Sequence, residues 1–217
     1  MSNKYLKEEG VNVPLDSVFL DPNNPRIAPE QPPGYDEPDK ITGKSFQTAL
    51  EEAVRVAYKV EALMGAILSE DWFPVDPIIV WELPKARGKY VVIEGNTRVT
   101  VLRMLRARLE GEKDSLERAS RAKKGHTPEA VESLKAQIAV LEQIVKDTLK
   151  IRALVVNAST SAELEEILPH LHNVRHINHA KQWSPYATNL YLLDEYRTLT
   201  TVRQKKPSNK VVKRDFV

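Results

Sequence analysis

Residues 89–105 read KYVVIEGNTRVTVLRML, and no other stretch restricts the fold of this chain as strongly. Tyr90, Val91, Val92 and Ile93 form a β-rich run that stops at Glu94 and Gly95. From Asn96 or Thr97 onward, Val101, Leu102 and Leu105 recur at helical spacing. A strand that turns directly into a helix needs a main chain free to bend and to come close to a ligand, which Gly95 provides. The first N–H groups of such a helix point outward, with the positive end of its dipole behind them. Arg98, in the first turn, can add a forked, charge-assisted contact to phosphate oxygens. Strand, glycine, polar cap, arginine and helix together predict a phosphate seat.

The chain has 217 residues, 41% hydrophobic and 29% charged, which suits one soluble domain carrying an insertion or a small appendage. It contains no cysteine, so disulfides, thiolate zinc sites and thiol chemistry are excluded. No apolar run approaches the ~20 residues of a membrane span, and MSNKYLKEEG has no signal-peptide core. The expectation is a cytoplasmic protein with no membrane partner. The net charge of +2 hides an asymmetry. Arg203, Lys205, Lys206, Lys210, Lys213 and Arg214 face a single acid, Asp215, in the last stretch, while residues 1–201 carry 26 basic and 29 acidic side chains. Such a tail can hold nucleic-acid phosphates, or it is a solvated end.

Residues 1–44 are rich in turns and proline, with a short strand at Val18, Phe19 and Leu20 that enters an Asn-Pro turn at Asn24 and Pro25. Apolar positions from Phe46 to Leu68 predict one or two helices, and Ile78 to Trp81 pairs with the Tyr90 run as a second strand. The helix after Gly95 is expected to end near Glu110 and Gly111. Thr127 and Pro128 open another helix, whose stripe of Val131, Leu134, Ile138, Leu141 and Val145 predicts a helical hairpin or a partner's helix, so a homodimer is one expectation. Ile151 to Val156 reads as a further strand, Thr160 and Glu163 as a capping box, and His176 to Tyr196 as helical. The class is α+β: a small mixed β-sheet with packed helices.

Several side chains near these elements carry chemistry. Glu94 can hold Mg²⁺ or take a proton beside a phosphate, or pair with Arg98. Asn96 and Thr97 can cap the helix or face phosphate. Arg26, after a rigid turn, can hold a cation over a ligand or bind a nearby acid. His170, His172, His176 and His179 fall within ten residues. On a helix, His172 and His176 would share a face, which is zinc or manganese spacing, although such clusters also hydrogen-bond within a site or face solvent.

The order NNPR, helix, PIIVWEL, KYVVIEGNTR with its helix, strand and HNVR resembles the N-terminal domain of the ParB/sulfiredoxin superfamily. The likeness covers residues 18–196, with 108–150 as a helical-hairpin insertion, a proline-rich segment at 1–44, the domain at 45–196 and a basic tail at 197–217. In ParB-type partition proteins, a glycine-led box and a later Glu-Asn-x-x-Arg box hold the phosphates and metal of CTP. The resemblance implies that Gly95, Asn96, Thr97 and Arg98 form the first box, and that Asn173 and Arg175 belong to the second. Asn96 and Thr97 stand where that family has glutamate and arginine, and His172 where it has a metal-facing glutamate. The EGNTR form also looks like the acidic-Gly-x-x-Arg boxes of members that handle ATP or ADP, or act in DNA modification and defence. Sulfiredoxin chemistry needs a cysteine and is excluded. The implied function is binding of CTP or ATP with Mg²⁺ and its hydrolysis, with Glu94 and Arg98 catalytic, and nuclease or small-molecule kinase activity as lesser readings. A plasmid, phage or defence setting would link it to DNA through the tail. The alternative is a nucleotide-gated or nucleotide-free DNA- or protein-binding scaffold without catalysis. No helix-turn-helix follows Tyr196, so sequence-specific DNA reading is not expected.

Overall fold

In the computed structural model of the chain, residues 4–30, 32–70, 76–121 and 127–172 are described, together with 189, 192, 193, 196 and 197. The chain divides into two units, Met1–Pro169 and His170–Val217. Strand β1 (Val11–Pro14) and β2 (Val18–Leu20) are followed by helices α1 (Pro38–Thr42), α2 (Lys44–Ala57) and α3 (Val60–Glu70). Then come β3 (Ile78–Glu82), β4 (Tyr90–Glu94), α4 (Asn96–Arg121), α5 (Pro128–Asp147), β5 (Lys150–Val155) and α6 (Ser161–His172). In the second unit, Asn189, Leu192, Leu193, Tyr196 and Arg197 have helical backbone.

The sheet is five-stranded and mixed, in the order β1-β5-β3-β4-β2, so the α+β class expected from the sequence is what the chain adopts. Strands β3 and β4 form an antiparallel hairpin, closed by a turn in which Gly88 has φ +78°. Strand β5 runs parallel to β3, β2 parallel to β4, and β1 antiparallel to β5. One face of the sheet presents Ile78, Val80, Val92, Ile151, Ala153 and Val155 to a core completed by Leu50 and Val54 of α2, Leu102 and Leu105 of α4, and Leu141 and Ile144 of α5. Trp81 points to the other face by strand alternation. There it is 1% exposed, donates its indole N–H to the Ala158 carbonyl at 2.9 Å and meets the Tyr35 ring edge-on at 5.7 Å.

An edge strand leaves main-chain groups in search of partners. At β2 the buried Gln47 supplies them, its side-chain oxygen accepting from Leu20 N–H at 2.8 Å and its amide N–H donating to the carbonyls of Leu20 and Ile41. Arg103 adds a bond to the Val18 carbonyl while pairing with Glu51. Residues 1–44, expected to hold one short strand, also hold β1 and α1. Only Val13 of β1 is buried, so no alternation marks the strand, and its register comes from β5, distant in sequence.

Helix α4 does not stop at Gly111. A Cβ there would meet nothing within 4 Å, and the apolar stripe continues through Leu109, Leu116 and Ala119. Arg108 pairs with Glu112, and Arg121 with Glu117, one turn on in each case. Helix α5 packs along α4, with Lys113 reaching Glu142 at 2.9 Å, and its Ile138, Leu141 and Ile144 are buried. Thr127 caps it as expected, its hydroxyl oxygen accepting the Ala130 N–H. The box at α6 forms too: Thr160 accepts the Glu163 N–H at 3.2 Å, and the Glu163 carboxylate accepts the Ser159 N–H at 2.6 Å.

Candidate functional site

Because β2 and β4 are parallel, with Leu20 beside Val92, the segments that follow them leave the sheet at the same end. One is the turn that begins at Asp21, the other is Glu94-Gly95. Gly95 is buried and has φ +111°, and a Cβ on it would lie 2.6 Å from Cγ2 of Ile78. Glycine is thus required twice, by conformation and by space. Its carbonyl accepts the Val99 N–H at 3.0 Å, which starts the ladder of α4. The amides of Asn96, Thr97 and Arg98 precede that first bond, as at the start of any helix.

Asn96 was expected to cap the helix or face phosphate, and its side chain bonds the end of β2 and β4. The buried amide accepts the Asp21 N–H at 3.1 Å and donates to the Val92 carbonyl at 3.2 Å. It fastens the end of β2 to the start of α4. Thr97 is half-buried in the first turn. Arg98 is half-buried and donates through Nη1 to the Asp76 carbonyl, just before β3. Its other guanidinium nitrogen lies over Gly95. A shallow hollow beside it has Ile78, Val99, Leu102 and Ile151 as its apolar wall and also takes in Arg152.

Arg26 reaches the same end of the sheet. Its guanidinium stands 4.4 Å from the centre of the Tyr58 ring, at the extended residue that closes α2. Burial pushes the Tyr58 hydroxyl above its ordinary range, the Arg26 charge opposes that rise, and the Glu94 charge adds to it. One phenol therefore feels both Arg26 and Glu94. The cation comes from the Asn24-Pro25 turn and the carboxylate from the end of β4.

The turn that carries Arg26 is pinned at both ends. Asn23 exchanges two bonds with the Gly34 main chain, each 2.9 Å, and Asp21 accepts from Asn23 N–H at 2.9 Å and from the Tyr35 hydroxyl at 3.1 Å. Asp21 is fully buried, and burial pushes its carboxyl up to about 7, against the lowering effect of those hydrogen bonds. Asp21, Tyr35 and Tyr58 were not singled out in the sequence. DPNNP reads only as a turn, and no local signal says that its aspartate is enclosed.

His172 ends α6 and is buried. Asn173, Arg175 and His176, like the basic residues Arg203 to Arg214, lie outside the described residues. Among the described residues no group of three or more His, Asp or Glu side chains could hold a metal by itself. Likewise no helix among the described residues is long and apolar enough to cross a membrane. Compared with protein-family models, curated proteins and solved structures, the chain matches none.

Proposed function

We propose that the β4–α4 turn binds the phosphates of a nucleoside triphosphate with Mg²⁺, and that the site hydrolyses the terminal phosphate. The observation that carries this reading is that the turns bearing Arg26 and Glu94-Gly95-Arg98 leave two adjacent parallel strands at one end, with Arg26 and Glu94 both acting on Tyr58. A close-approach glycine, a long helix's amino end and arginines from separate segments form the usual cradle for phosphate. Arg98 and Arg26 neutralise charge on the transferring group, and Glu94 takes a metal position or orients the attacking water. Glu94 would help to hold Mg²⁺, which when bound would supply positive charge to the phosphates. The likeness to ParB/sulfiredoxin N-terminal domains points the same way, with CTP or ATP as the nucleotide and Asn173 and Arg175 as a second contact. The six basic residues of the tail favour DNA as a partner held by charge.

Thermal unfolding and phosphate release with each of the four nucleoside triphosphates and Mg²⁺ test this. A triphosphate is expected to raise the melting temperature of the wild type. Arg98→Ala, still folded, is expected to bind about 10- to 100-fold more weakly, the loss of one charge-assisted phosphate contact. If no nucleotide shifts the melting temperature, the reading fails. Binding without phosphate release leaves a nucleotide-gated scaffold.

A further inference from the structure

Asp21 has no place in the phosphate chemistry just described, yet it sits at the joint on which that site is built. Its carboxylate is 0% exposed. The groups that face it are the N–H and side chain of Asn23 from its own turn and the Tyr35 hydroxyl, while its main-chain N–H goes to Asn96 of α4. Glu165 of α6 acts on Tyr35 and so adds negative charge. No lysine, arginine or histidine pairs with Asp21 among the described residues. A carboxylate enclosed without a cation is costly in its charged form and is retained by binding a proton.

We infer that Asp21 is the positioning residue of this site, holding the Arg26 turn and the Asn96 end of α4 together in its neutral, protonated form, so that phosphate affinity is linked to a proton. Three observations meet here. The Asp21 side chain ties Asn23 and Tyr35, and Asn23 in turn clasps Gly34, which closes residues 21–35 into one loop. Arg26 rides on that loop and is placed over Tyr58. The Asp21 main chain is bonded to Asn96, the first residue of α4. Deprotonation leaves a buried charge, which water relieves once the segment opens at the Asp21–Tyr35 contact, where Tyr35 packs on Trp81. Such opening withdraws Arg26 from its place over Tyr58. Burial also places the Asp21 titration near neutral pH, where such a device would act.

The affinity arm rests on the phosphate-seat reading, and the loop arm does not. The first experiment measures affinity for Mg-nucleotide between about pH 5.5 and about pH 8.5 for the wild type and for Asp21→Asn, which is neutral throughout. The wild type is expected to lose about tenfold relative to Asp21→Asn across neutrality, a usual size for coupling between sites. Phosphate groups of the ligand titrate equally in both proteins, so the difference isolates Asp21. Parallel profiles overturn the inference. The second experiment follows amide exchange at Asn23, Arg26 and Gly34 without ligand. Protection, corrected for the intrinsic effect of pH, is expected to fall above neutrality in the wild type and to persist in Asp21→Asn. Equal protection in both overturns the inference even where no nucleotide binds. Should Asp21→Asn fail to fold, Tyr35→Phe removes a hydrogen bond that lowers the Asp21 titration, so the midpoint should move up. An unmoved midpoint counts against the inference.

Discussion

At the scale of single residues, Gly95 and Asp21 do most to shape the candidate site, and they do so by opposite means. Gly95 matters for what it lacks. An alanine there would adopt φ +111° and press its Cβ against Ile78, 2.6 Å away. Gly95→Ala is expected to destabilise the fold by about 2–4 kcal/mol, combining backbone strain with overpacking, as read from urea unfolding. Asp21 matters for a buried carboxylate that no cation among the described residues offsets. Its folded titration near 7, against an ordinary 3.8, means that the native state holds the proton more tightly than the unfolded chain. The contribution is therefore fully present below about pH 4 and is lost as pH rises towards about 7. Across that window the wild type should lose stability relative to Asp21→Asn, by up to on the order of 4 kcal/mol at 1.36 kcal/mol per pH unit. Denaturant curves at several pH values check this, and a constant difference between the two proteins would refute it. Neither effect could be read from neighbouring letters. Gly95 announced a turn but not its contact with Ile78, and Asp21 looked like one more acidic turn residue.

Among the elements, β2 and α4 show how side chains complete what backbone geometry leaves open. The outer edge of β2 is capped by one buried amide, Gln47, which makes three bonds to main chain. Gln47→Ala should cost about 2–4 kcal/mol, since it strands buried main-chain groups, and should increase aggregation on partial unfolding. In α4, Gly111→Ala is expected to add about 0.5–1 kcal/mol of stability, because the new methyl group meets no neighbour and the helix gains propensity. A loss instead would mean that the helix bends or closes on something there. The elements with strong local patterns were legible: the β3–β4 hairpin, the Thr127 cap, the α5 stripe and the capping box of α6. The end of α4 was not, because a glycine on an outer face looks the same in sequence as one that terminates a helix. Strand β1 was not legible either, since its only apolar anchor is Val13 and its partner is the far strand β5.

At the scale of the whole molecule, strand order decides what becomes a site. The pairing β4-β2 is parallel, so the Asp21 turn and the Gly95 turn share an end, and the antiparallel β3 starts there as well. Arg26 is far from Glu94 in sequence, yet both act on Tyr58, while Arg98, one turn after Glu94, reaches the Asp76 carbonyl before β3. The residue types of the proposed phosphate seat lie in EGNTR and NNPR, whereas the surrounding Asn96, Asp21, Tyr35 and Tyr58 depended on the register of β2 with β4. The most direct test of the phosphate seat records main-chain amide resonances of the full chain by NMR while Mg-nucleotide is added. The expected result is that Asn96, Thr97 and Arg98 amides shift together and saturably, with Arg26 following, and that Arg98→Ala weakens the response. Saturable nucleotide binding that leaves those three amides unmoved would contradict it.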